Sequence, residues 1–128
     1  MNKLNEETEI IYAYTRKQAI EDGELLDLSD LAKEAGFKYP VAVSRSIRAI
    51  LEPTEELKAA GQDFMGRAWD MLNVLRWSLR RSAGEDRIAF APLFLMNPNK
   101  GPAPVALLAV CGPGDDAEPV ITIMTEGD

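Results

Sequence analysis

Apolar and polar residues change their spacing midway along this 128-residue chain. Over residues 62–83 the apolar positions recur as in a helix. Met65, Ala68, Trp69, Leu72, Leu75 and Leu79 form one stripe, widened by Phe64 and Met71, while Asp70, Asn73, Trp77 and Arg81 fall opposite. A helix with that pattern buries its stripe and leaves the other face in water. Arg76, Arg80 and Arg81 near its end complement the negative pole of the helix dipole, and Gly84 closes it. Beyond it the spacing turns strand-like. Residues 87–96, 105–111 and 120–125 are apolar, β-prone runs, separated by turn residues at 97–102 and 112–119. They predict a three-strand antiparallel meander, with Pro92 at an edge or bulge.

The first half reads as short elements. Thr15 caps a short helix that Gly23 stops, and Leu25, Leu26 and Leu28 lead into Ser29, the cap of a helix over 30–35 ended by Gly36. Phe37 and Tyr39 plug the joint. Pro40 opens a helix over 41–51, whose apolar residues fall at 43, 47, 50 and 51 and which Pro53 stops. Thr54 caps a further short helix before Gly61. Residues 10–14 are a β-prone run, and residues 1–9 are polar and expected to fray. The expected fold is one α+β domain over 1–128. Short N-terminal helices and one long amphipathic helix pack on a C-terminal three-strand antiparallel meander.

Composition narrows the function. A hydrophobic content of 46% with 27% charged residues is that of a folded globular chain, not a disordered one. No apolar run reaches the ~18 residues that span a bilayer. Residues 1–7 lack the apolar core of a secretory signal, and the lone Cys111 forms no internal disulfide. These features favour the cytoplasm and no membrane partner.

Histidine is absent. That removes Ser-His-Asp and Cys-His catalysis, and a zinc site would need three carboxylates beside Cys111. The balance leans away from an enzyme, with no cofactor expected.

Net charge is −7, unevenly spread: residues 36–90 hold nine bases against seven acids, while both flanking segments are acidic. Phosphate backbones repel such a chain overall, so nucleic acid is a disfavoured partner.

Three constellations carry chemistry. The first is the acidic turn at 112–119, where Asp115, Asp116 and Glu118 offer oxygens to a divalent cation. Glycine and aspartate also build turns for backbone reasons, which is the plainer reading. The second is residues 29–51. Asp30 to Phe37 followed by Val43-Ser44-Arg45 resembles the helix-turn-helix of lac-repressor-type regulators, and the resemblance implies DNA contacts from Ser44, Arg45 and Arg48. Pro40 within the turn departs from that pattern. The third is the basic set Arg67, Arg76, Arg80, Arg81 and Arg87, with Trp77 on the polar side of the long helix. An exposed tryptophan beside arginines is the composition of an interface hot spot, and a second buried layer beneath Trp77 is the alternative reading. Trp77, Arg76, Arg80 and Arg81 are therefore the partner-binding candidates.

Three stretches, residues 14–23, 35–42 and 110–124, resemble a family of small bacterial proteins of unknown function found on plasmids, phages and integrated elements. The most specific is Val110-Cys111-Gly112-Pro113-Gly114-Asp115-Asp116-Ala117-Glu118-Pro119. The resemblance implies a mobile-element accessory protein and carries no activity, ligand or catalytic residue. The leading expectation is a non-enzymatic protein that binds a protein partner. The alternatives are the DNA-binding regulator and the carboxylate or metal site.

Overall fold

The structure, a computed structural model, describes residues 15–82 and 84–128. The expectations for residues 1–9 and 10–14 lie outside the described residues. Helix α1 (Arg16–Glu21) begins at a capping box: Thr15 Oγ1 accepts from the Gln18 N–H, and Gln18 Oε1 accepts from the Thr15 N–H. Strand β1 (Leu25–Asp27) follows, then α2 (Ser29–Glu34), β2 (Val41–Ser44), α3 (Arg45–Leu51) and α4 (Glu55–Ala59). Helix α5 (Phe64–Arg81) is the longest element. Asp63 caps it by accepting from the Gly66 N–H at 2.6 Å. Strands β3 (Arg87–Phe90), β4 (Leu93–Phe94), β5 (Ala103–Pro104), β6 (Leu107–Pro113) and β7 (Pro119–Met124) complete the chain.

The α+β class holds, but the sheet is not a three-strand antiparallel meander. Among the described residues it has five strands in the order β1-β2-β7-β6-β3, and β2 runs parallel to β7 while the other pairs are antiparallel. The two extra strands come from the first half of the chain. Residues 41–51, expected as one helix, are a strand followed by a helix. Val41, Ala42 and Val43 are all wholly buried between β1 and β7. A central strand covered on both faces loses the polar alternation that marks a strand, and a short apolar run reads equally as helix. Ser44 makes the switch. Its backbone is extended, and its Oγ accepts from the Ile47 N–H to start α3.

This correction removes the helix-turn-helix. Residues 35–44 separate α2 from α3, and β2 lies among them, whereas that motif joins its helices by a turn of about 3–4 residues. The run at 87–96 also divides. β3 pairs with β6 only as far as Phe90, and β4 joins β5 in a separate two-strand ribbon. Pro92, which has no N–H to donate, stands at the break.

One core cluster joins the sheet residues Val41, Val43, Leu107, Ala109, Ile121 and Ile123 to Ala68, Met71, Leu72 and Leu75 of α5. Ala32, Ile47 and Leu51 close it from α2 and α3. Burying each large side chain contributes roughly 1.5–3 kcal/mol, which holds α5 on the sheet. Its buried stripe is rotated from the expected one. Arg67 and Met71 lie inside, while Met65 and Trp69 lie outside. A helix with apolar residues this far round its circumference leaves the choice of face to tertiary packing.

Candidate functional site

The inner side of α5 accounts for one arginine of the basic set. Arg67 is 3% exposed. Its Nη1 donates to the Leu95 carbonyl at 2.8 Å and to Gln62 Oε1, and its Nη2 donates to the Ile50 carbonyl at 2.8 Å. The guanidinium lies 4.8 Å from the Phe94 ring centroid, and its Nε has no hydrogen-bond partner among the described residues. Burial pulls its pKa down, yet a guanidinium stays charged. Arg67 therefore ties the end of α3 to the loop after β4 and is unavailable to a partner. Arg87 is exposed on the sheet-edge strand β3.

The outer side of α5 is different. Trp77 is 65% exposed, Met65 57% and Trp69 39%. Met65, Trp69, Asn73 and Trp77 are spaced by four, so they form one ridge along the helix. Asn73 Nδ2 donates to the Trp69 carbonyl at 2.9 Å, which folds that side chain down and lowers the ridge between the two indoles. Arg80 and Arg81 are exposed beside it. Arg76 is half-buried and packs against Gly36, at the C-terminal end of α2, where its cation complements the helix dipole. A Cβ at Gly36 would lie 2.8 Å from Arg76 Cζ, and Gly36 has φ +99°, so two constraints require glycine there.

The structure thus brings Trp77, Arg80 and Arg81 together in solvent, with Arg76 partly engaged. Sequence reasoning placed Met65 and Trp69 in the core and missed them as surface. Their spacing of four from one another, with Trp69 a further eight before Trp77, was the available signal.

The acidic turn is built otherwise. Asp115 Oδ1 accepts from the Arg16 N–H at 2.8 Å and Oδ2 from the Lys17 N–H at 3.1 Å, so the tip caps α1. Arg16 returns the contact. Its Nη1 donates to Thr122 Oγ1 at 2.7 Å and its Nη2 to the Ile121 carbonyl at 2.9 Å. Burial lowers the Arg16 pKa, and Asp27, Asp115 and Glu118 oppose that shift. The Glu118 side chain folds over Gly114, leaving no room for a side chain there, while the Gly114 N–H donates to the Glu118 carbonyl at 2.6 Å. Beside this clasp lies a cleft of about 480 Å³ with Ile20, Pro40 and Val120 in its wall. Asp115, Asp116 and Glu118 do not converge as a ligand set. No cluster of three or more acidic or cysteine side chains able to hold a metal ion occurs among the described residues.

Two of the three residues expected to contact DNA, Ser44 and Arg45, are also engaged locally. Ser44 Oγ donates to Asp128 at 2.5 Å, and Ser46 Oγ donates to the same carboxylate at 2.6 Å. With the Thr125 N–H, these bonds hold Asp128 down to about 2, the Ser44 bond first. Arg45 pairs with Glu24 at 3.4 Å across an exposed surface, and Arg48 is exposed on α3. Burial, aided by Asp86, pushes the Cys111 thiol up, away from the reactive thiolate.

The fold and these surfaces define an α+β protein with a mixed five-stranded sheet and one long helix whose outer face is rich in aromatic and basic residues. None of the helices in the described residues is long and apolar enough to cross a membrane. The chain belongs to a family of unknown function, DUF6573, whose model matches residues 1–128. No curated protein and no solved structure matches it.

Proposed function

We propose that this protein acts by binding a protein partner through the outer face of α5 and catalyses no reaction. One observation carries the reading: two tryptophans and a methionine stand on one ridge in solvent, with Trp77 65% exposed. Holding that much apolar surface in water is unfavourable unless a partner covers it, and Trp beside Arg is the composition that dominates interface energies. The accessory role in mobile elements, implied by the resemblance at residues 14–23, 35–42 and 110–124, gives this binding its setting.

Capture from a lysate of the source cells tests the reading. Wild-type protein is expected to retain a macromolecular partner, and Trp77→Ala to lose it while keeping its circular dichroism. Retention undiminished by Trp77→Ala would remove the α5 face from the account.

A further inference from the structure

We infer that the partner covering the α5 face is a second copy of this chain, its α5 lying antiparallel on the first. The inference rests on the reading of that face as a binding surface and names its occupant.

The argument begins with symmetry. Most homodimers are closed by a two-fold axis, so the same patch must complement itself. The ridge Met65-Trp69-Asn73-Trp77 has an indole four residues to either side of Asn73. An antiparallel two-fold passing near Asn73 carries the Trp69 end of one helix onto the Trp77 end of the other. Large aromatic side chains then meet across the axis on both sides. The low point at Asn73, its amide folded onto the Trp69 carbonyl, falls where the backbones come closest. Gly66, also exposed, adds no bulk to that surface.

Charge selects the direction. The N-terminal half of α5 and its cap carry the exposed acids Asp63 and Asp70, and the C-terminal end carries the exposed bases Arg80 and Arg81. Antiparallel pairing sets acids over bases at both ends. Parallel pairing would set acids over acids and bases over bases. The helix dipoles favour the antiparallel arrangement as well.

Charge also selects the occupant. A uniformly acidic partner, a nucleic acid included, is attracted at Arg80 and Arg81 and repelled at Asp63 and Asp70. A uniformly basic partner meets the reverse. A surface carrying both signs in the opposite order satisfies the whole face, and a second copy turned end for end presents it. Such charge pairs at a rim set orientation and partner choice, while the buried indoles supply most of the affinity.

Sedimentation velocity over about 1–100 μM, a range that brackets micromolar association, tests this with two charge-reversed proteins. One carries Asp63→Asn with Asp70→Arg, the asparagine keeping the helix cap while removing its charge, and the other carries Arg80→Asp with Arg81→Asp. The wild type is expected to dimerise, and Trp77→Ala to weaken the dimer at least about tenfold. Each charge variant alone is expected to be monomeric. Mixed one to one, they are expected to form a heterodimer, because the first chain then offers bases where the second offers acids at both ends. All sites lie on the exposed surface, and circular dichroism checks that each variant folds.

A wild type that stays monomeric throughout overturns the inference, as does a charge-variant mixture that fails to associate. A monomeric wild type that still captures a different protein through Trp77 overturns only the second copy and leaves the α5 reading standing. A dimer indifferent to Trp77→Ala and to both charge variants overturns the two together.

Discussion

The hairpin tip and the outer face of α5 are both dense in charge, yet their side chains are in opposite states. At the tip, Asp115 accepts two backbone N–H groups and Arg16 donates into β7. Glu118 lies folded over Gly114. Those groups hold α1 against the sheet. On α5, Trp77, Arg80 and Arg81 project into solvent. Density of charge in a sequence therefore says little about availability. What separates a structural cluster from a recognition surface is whether its hydrogen-bonding capacity is already filled from within the chain.

The sharpest way to break this comparison is to remove the tip's cap. Asp115→Ala leaves the Arg16 and Lys17 N–H groups without their acceptor and loosens the clasp that positions the Arg16 guanidinium. Loss of a side-chain cap and of charge-assisted bonds is expected to cost about 2 kcal/mol. Urea unfolding measures it, with the midpoint falling and the slope unchanged. A midpoint that does not move would mean the tip carboxylate is free, and the contrast with α5 would collapse.

Asp128 gives a smaller test of the same principle, at a carboxylate that is nearly all exposed. Ser44, Ser46 and Thr125 hold its pKa at about 2, below the ordinary 3.8. A depressed carboxylate stabilises the fold above its unfolded pKa, and that contribution is lost as pH falls through the folded value. Stability is thus expected to drop between about pH 4 and pH 2, and Asp128→Asn to flatten that part of the profile. Thermal midpoints of the two proteins across the window check it. Parallel profiles would show that the Ser44–Asp128–Ser46 contacts do not persist in water.

How much of this was legible in the sequence depends on what each signal measures. Caps at Thr15 and Thr54 were readable because they are set by neighbours three residues away. The long helix was readable from its period, although Asp63 proved to be its cap. The β2 strand was not, because three consecutive buried residues show no alternation, and nothing local says that β1 and β7 flank them. Arg67 looked like Arg80 and Arg81 in the sequence. Only the carbonyls of Ile50 and Leu95, brought together by the fold, distinguish it. Likewise, Asp115 reads as a turn residue or a ligand until α1, 98 and 99 residues away, is placed against it. The candidate surface was half legible. Trp77 fell opposite the core stripe, with its exposure left open against a second buried layer, while Met65 and Trp69 were absorbed into the stripe.

The smallest expected effect is the most pointed. If the α5 outer face contributes nothing to the fold, Trp77→Ala and Arg81→Ala should each leave the stability of the isolated chain within about 0.5 kcal/mol, the usual range for surface changes. Leu72→Ala, on the inner side of the same helix, empties a wholly buried site and should cost about 2–5 kcal/mol. The measurement belongs at submicromolar protein, because anything that binds only the native state adds to apparent stability by mass action. Repeating the Trp77→Ala comparison at higher concentration then separates the two roles. A gap between wild type and variant that opens with concentration belongs to association, whereas a gap of constant size at every concentration would mean that the indole supports the fold, and the surface would have to be reassigned to the same class as the tip.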